Sequence, residues 1–302
     1  MLPLLLISWG TVFVAWWATR DLYGSDAGLL VAAAVSLEWT GIVFGTWFGY
    51  SENLVVLTLT LTLWAVLRAL RDDRYVVPAG VFAGIGYLSK ASIGWFFLIV
   101  GLGGLAWRVA FRGWAVLGNR WYWAAIGIFA VPVLAWSLRN VALFWDGSVL
   151  GLLDAWQTSE YIARLLADAF REPGLLAAGL IARLPITAFF LLLPFVPLLG
   201  GFQASLRRWK EEETFGLWLM TGLIFVLGWF FSAAFWVGEE SNIVSAYTTR
   251  YVMPAQVPLL WLLVRNRVLV STWRWALSFL ILGVLSMVMP FLVHIGSIFG
   301  HR

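Results

Sequence analysis

The sequence predicts an all-α protein, a polytopic bundle of about ten transmembrane helices, and three observations carry that prediction. Of the 302 residues, 62% are hydrophobic and only 12% charged, about half the charged share of an ordinary soluble domain. The chain holds 21 Trp, 22 Phe and 8 Tyr, which suits aromatic belts at both membrane interfaces. Its cations, finally, fall in alternate connections between apolar stretches, as a chain that crosses a bilayer repeatedly requires.

A helical crossing needs about 20 mostly apolar residues. Ten stretches are candidates: 2–18, 28–48, 53–67, 76–89, 91–107, 121–138, 175–200, 215–236, 252–264 and 275–296. The first begins at Leu2 with no Lys or Arg before it, and Trp16-Trp17-Ala18-Thr19 is no small-residue cleavage site. It therefore reads as a span and not as a signal peptide. Stretches 76–89 and 252–264 are short and predict tilted, re-entrant or broken segments. With the N-terminus outside, the inner turns hold Arg20; Arg68, Arg71 and Arg74; Arg108, Arg112 and Arg120; Arg207, Arg208 and Lys210; and Arg265, Arg267 and Arg274. That is 13 of the 20 cations. The outer side and span interiors keep Lys90, Arg139, Arg164, Arg171, Arg183, Arg250 and Arg302. This pattern predicts a multi-pass protein of the cell (plasma) membrane with both termini outside.

Residues 1–302 read as a single transmembrane domain with little soluble material. The longest polar stretch, 139–174, is an outer loop in which Leu152, Leu153, Trp156, Leu165, Leu166 and Phe170 recur at helical spacing, predicting an amphipathic surface helix. A second outer loop spans 237–250. The acidic run Glu211–Glu213 beside Arg207–Lys210 reads as a solvated helix end. Gly80, Gly84 and Gly86 predict a close helix-packing face. A formal net charge of +4 on so apolar a chain excludes a nucleic-acid partner. Absence of Cys removes disulfides and thiol nucleophiles, and two His, His294 and His301, are too few for a His-rich metal centre. No residue cluster demands a metal or any other cofactor, although acidic side chains could take a divalent cation.

Ionisable groups near the hydrocarbon are the informative ones. Glu52 opens a span after Trp47-Phe48-Gly49-Tyr50. Lys90 sits between two apolar stretches, Arg139-Asn140 follows Trp136, and Arg250-Tyr251 precedes Met253-Pro254. All four positions fall at outer helix ends, with Glu239 and Glu240 in the adjoining loop. Any one of these cations alone would merely snorkel to headgroups, and Glu52 alone would cap a helix. Three cations on the side that the positive-inside rule opposes suit a lipid phosphate or pyrophosphate, with a carboxylate nearby to orient an acceptor. Glu38, inside the second apolar stretch, predicts a break there. His294 reads as an interfacial residue.

The order of five motifs resembles the polyprenyl-phosphate-sugar-dependent glycosyltransferases of the GT-C superfamily, the protein mannosyltransferase and aminoarabinose transferase type. Arg20-Asp21-Leu22-Tyr23-Gly24 is similar to their ARRLFG inner turn, and Ser51-Glu52-Asn53-Leu54 to their acidic step into a long span, here without its Pro. Ala79 through Lys90 resembles AGLLLGLAFLTK, Trp136 through Phe144 resembles PWLIRNYLLFG, and Arg250 through Ala255 resembles RYLLPA. The resemblance implies a GT-C-like helical membrane enzyme that takes a sugar from a polyprenyl phosphate donor, outside the cytoplasm, and gives it to a protein, lipid or glycan. It makes Glu52 the candidate catalytic acid at the site edge and Lys90, Arg139 and Arg250 the donor-phosphate ligands, with Asn140, Tyr251, Glu239 and Glu240 along the edge. It also implies a first span and an acidic first outer loop, carrying the family's general base, that this sequence lacks. A non-catalytic membrane subunit would share that lack. A transporter or flippase of a lipid-linked anion would explain the outer cations, but predicts mid-span charges and a pseudo-repeat.

Overall fold

The computed structural model describes residues 2–37, 52–89, 91–144, 171–238, 252–266 and 272–299. Among them the chain is helical, with no strand. The helices are α1 (Leu2–Tyr23), α2 (Ser25–Ser36), α3 (Glu52–Ala69), α4 (Val76–Ser89), α5 (Ala91–Arg112), α6 (Arg120–Phe144), α7 (Pro173–Leu192), α8 (Leu199–Arg207), α9 (Glu212–Gly238), α10 (Gln256–Arg265) and α11 (Thr272–Phe299). Short 3-10 turns at Asp73–Tyr75, Trp114–Gly118, Leu193–Leu198 and Met253–Ala255 join or extend them. By length and composition, three segments among the described residues are long and apolar enough to cross a membrane: Arg120–Leu143, Pro173–Arg207 and Glu212–Ala233. Shorter apolar helices occupy Ser25–Ser36, Asn53–Ala69, Gln256–Arg265 and Thr272–Val288.

Packing follows from small residues and from polar groups that bond inside the bundle. Gly24, with φ 98°, makes the turn that folds α2 back on α1, a conformation that costs glycine little. Helices α1 and α3 run parallel: Thr11 Oγ1 donates to the Asn53 carbonyl at 3.0 Å near one end, and Trp64 Nε1 donates to Asp21 at 2.8 Å near the other. The glycine face is present on α4. A Cβ on Gly80 would fall 2.5 Å from the Ala125 carbonyl oxygen of α6, and one on Gly86 would fall 2.1 Å from the Phe97 ring of α5. Gly84 faces Pro132 of α6, so α4 and α6 run parallel and close. Helix α9 lies antiparallel to α5, with Trp107 seated over Gly216 and Leu223 over Gly103.

Helix α10 is the centre of the molecule. Every residue from Gln256 to Val264 is buried, and Trp261 Nε1 donates to Thr19 Oγ1 of α1 at 2.7 Å. A stretch that is short for a crossing is here enclosed by protein, including α9, α8, α2 and α1. The opposite environment surrounds the rim. Trp9, Val131, Leu138, Ile181 and Met287 are all exposed, as bilayer-facing side chains are.

Two boundaries differ from the sequence expectation. Helix α6 continues to Phe144, so Arg139 and Asn140 stand in its last turns and not in a loop that starts at 139. The expected second outer loop likewise begins later than 237, since α9 includes Gly238. Helix α2 ends at Ser36, two residues before Glu38. Glu38 itself, residues 145–170 of the expected amphipathic loop, and residues 239–250 lie outside the described residues.

Candidate functional site

The turns that carry the inner cations meet at one end of the bundle, called here the basic end. Arg108 of α5 is 2% exposed and fully engaged. Its Nε donates to Tyr122 Oη at 2.7 Å, its Nη1 to Glu212 Oε1 at 2.9 Å, and its Nη2 to Asp73 Oδ1 at 2.8 Å and the Ala69 carbonyl at 3.1 Å. Arg112 adds a second contact to Glu212 at 3.2 Å. Asn119 Nδ2 donates to the other Asp73 oxygen at 2.8 Å. Arg68 pairs with Asp21, and Arg265 pairs with Glu213 and, at 2.9 Å, with Glu211. Tyr23 Oη donates to Glu213 at 2.8 Å.

These contacts overturn the reading of Glu211–Glu213 as a solvated helix end. Glu212 and Glu213 tie α9 to α5, α10 and α1 and hold the Arg108 and Arg265 guanidiniums, while Glu211, which stays exposed, adds a second contact to Arg265. Burial pushes the Asp21 carboxyl up, but hydrogen bonds from Arg68 and Trp64 and the Arg68 charge outweigh it and hold the group below its ordinary value. Burial, with Glu213 beside it, pushes the Tyr23 phenol well above its ordinary range, so it stays a neutral donor. Chemically this end is saturated, because its buried guanidiniums already hold carboxylates.

The opposite end differs. Glu52 is the first residue of α3, and the next residue fixes that helix start to α1, Asn53 Nδ2 donating to Ser8 Oγ at 2.6 Å. Asn140, fully buried in α6, accepts from Arg139 Nη1 at 3.1 Å, while its own Nδ2 has no hydrogen-bond partner among the described residues. Ser137 Oγ, three residues earlier on the same helix, is also buried and without a partner among the described residues. Arg139 is exposed, with its guanidinium 5.2 Å from the Trp136 ring centre. The parallel register of α4 and α6, Gly80 beside Ala125 and Gly84 beside Pro132, carries the end of α4 at Ser89 toward the turn that holds Trp136.

Of the residues singled out from the sequence, Arg139 and Asn140 are therefore neighbours with free capacity. Glu52 starts a helix anchored to α1. Lys90, Arg250, Tyr251, Glu239 and Glu240 lie outside the described residues, and His294 lies within α11. Among the described residues no group of three His, Cys, Asp or Glu could hold a metal ion.

Sequence reasoning passed over two features. Arg183, inside α7, is only 4% exposed and makes no ion pair among the described residues. A lone Arg in the apolar run 173–200 was the available signal. The Ser137–Asn140 pair was legible as two polar residues three apart in an apolar helix, a spacing that puts both on one face.

Residues 1–136 match the family model of the dolichyl-phosphate-mannose-protein mannosyltransferases. No curated protein and no solved structure matches the chain. The matched stretch includes the Arg20–Gly24 turn, Glu52 and Lys90, whereas Arg139 and Arg250 fall beyond it.

Proposed function

We propose that the chain is a membrane glycosyltransferase of GT-C type, a reading that the family match over residues 1–136 supports, and that it transfers a sugar from a polyprenyl phosphate donor to a hydroxyl of a protein, lipid or glycan. The reaction takes place at the membrane face opposite the basic end. The positive-inside rule makes that face extracytoplasmic. The observation that carries the proposal is the family match over residues 1–136. The charge distribution agrees with it, since Arg68, Arg108 and Arg265 at the basic end are held by carboxylates, while Arg139 makes no ion pair among the described residues.

In the transfer, the acceptor oxygen attacks the anomeric carbon and the bond from that carbon to the phosphate oxygen breaks. The acceptor proton passes to a base. Charge grows on the departing phosphate, and Lys90, Arg139 and Arg250 stabilise it there, which is where cations lower the barrier most. Asn140 Nδ2, buried with no partner among the described residues, is offered to a phosphate or sugar oxygen. In this reading Glu52 orients the acceptor, and Tyr251, Glu239 and Glu240 are the further residues assigned to acceptor binding. The test is sugar transfer in proteoliposomes from a labelled polyprenyl phosphate sugar to a peptide, lipid or glycan acceptor. Donor consumption abolished in Lys90→Ala and Arg250→Ala supports the proposal. Donor left intact by the folded wild-type protein with every acceptor class, and no donor binding, overturns it.

A further inference from the structure

A second binding region lies in the basic half of the bundle, away from the proposed transfer site and independent of it. Helices α3, α4, α5 and α6 enclose a cavity of about 220 Å³. Its walls are apolar apart from Thr62, Arg108 and Tyr122. All three of these are satisfied: Thr62 Oγ1 donates to the Thr58 carbonyl at 2.8 Å, and Arg108 and Tyr122 bond to each other and to Asp73. A cavity with no polar group to offer stays dry, and hydrocarbon occupies it better than water; an engineered apolar cavity of about 150 Å³ already accepts benzene. The cavity is not sealed. Phe97 and Val100 on its inner wall are buried, but Leu102 of α5 and Ile126 of α6 are 58% and 42% exposed, so it opens to the bilayer between those helices.

On the adjoining face of α5 lies an open groove of about 400 Å³, lined by apolar residues including Val109, Trp114 and Leu117. Leu102 and Leu105 line both hollows, so they stand as a wedge between two hydrocarbon-shaped spaces. Both spaces converge on the same turns at the basic end. There Arg74 and Arg120 stack on Trp121, at 5.9 and 4.9 Å from its ring. Neither makes an ion pair among the described residues, in contrast to Arg108. Trp114 and Trp123, 76% and 59% exposed, mark the headgroup level. Ile126, at the cavity mouth, is six residues beyond Arg120, about 9 Å along the helix axis, which a fatty acyl chain anchored at that level spans easily.

We propose that this region binds one diacyl anionic phospholipid from the leaflet at the basic end. One acyl chain enters the cavity between α5 and α6, the other lies in the groove beside the 114–118 turn, and Arg74 and Arg120 hold the phosphate. Two chains for two hollows, and two unpaired guanidiniums for one anionic headgroup, select a diacyl phospholipid over a single-chain polyprenyl phosphate.

The experiment reads lipid retained by the purified full chain, by native mass spectrometry, after reconstitution in nanodiscs of phosphatidylglycerol and phosphatidylcholine and transfer to detergent. Wild type should retain one phosphatidylglycerol. Gly101 lines the cavity and a Cβ there meets nothing within 4 Å, so Gly101→Phe fills the space and should lower retention at least tenfold. Arg74→Gln with Arg120→Gln should still retain a phospholipid but lose the preference for phosphatidylglycerol at least fivefold. Unchanged retention in Gly101→Phe means annular lipid only and overturns the proposal, as does retention of a polyprenyl phosphate in its place. Should Gly101→Phe not fold, wild type loaded with brominated-chain phosphatidylglycerol keeps the question open to an answer. Bromine density between α5 and α6 in a cryo-EM map supports the site, and its absence there in a lipid-loaded sample contradicts it.

Discussion

At the basic end Arg68, Arg108 and Arg265 are each held by a carboxylate from another helix, whereas in the other half Arg139 meets only Asn140 and Trp136 and the buried Arg183 has no ion pair among the described residues. The helices around both sets are equally apolar, so the difference between these paired and unpaired cations lies in what they are for; Arg74 and Arg120, at the basic end but without an ion pair among the described residues, belong with the unpaired set. Charge that is consumed by neighbouring carboxylates holds helices in place and has nothing left for a ligand. A cation or amide without a partner is costly in a folded protein and is available to an anion that arrives from outside.

The strongest way to break the comparison is to remove the central guanidinium of the basic end. Arg108→Met leaves Asp73 and Glu212 without their main partner and opens the junction of α3, α5, α6 and α9; the expected loss is about 3 kcal/mol, read as a large drop in detergent Tm. A steric change at the helix seam comes next. Gly80→Ala drives a methyl into the Ala125 carbonyl, backbone against backbone, and should cost about 2 kcal/mol by the same thermal measurement.

A pH scan sharpens the basic end further. The Asp21 carboxyl is held below its ordinary value, so its contribution is complete above the unfolded value of about 3.9 and is lost as pH falls through the lower folded value. Wild type should therefore be more stable than Asp21→Asn at neutral pH, and the gap should close on acidification below about pH 4. A gap that persists at low pH would assign the difference to packing. The smallest expected effect is in the other half. Arg183→Met removes a buried cation that no described carboxylate compensates, and Tm should hold or rise, the reverse of Arg108→Met.

Part of the fold was legible because several helices end where charge begins, as α3 does after Arg68 and α5 at Arg112. Stretch 76–89 became α4 with the same limits, and its glycines pack as their spacing predicted. The role of 252–264 was not legible: its shortness suggested a broken crossing, while burial on every side depends on helices far away in sequence. The acidic run at 211–213 was misread for the same reason, since Glu212 finds Arg108 across 104 positions and no local pattern announces such a partner. At the candidate site, Arg139 and Asn140 were named from a motif, but only the structure shows that Asn140 is buried with a donor unspent. Arg183 was counted among the outer and span-interior cations but given no role, because one cation in an apolar run looks the same whether it snorkels or is enclosed.

The central claim is that Arg139, which makes no ion pair among the described residues, binds the donor phosphate at the end opposite the basic one. It is tested most directly by titrating a fluorescent polyprenyl phosphate sugar into reconstituted wild type, Arg139→Gln and Arg112→Gln. The account predicts that Arg139→Gln weakens donor binding about tenfold or more, a loss of one charge-assisted contact, with Tm unchanged, while Arg112→Gln lowers Tm and leaves donor affinity alone. Wild-type donor affinity in Arg139→Gln, or an equal loss in Arg112→Gln, would contradict it.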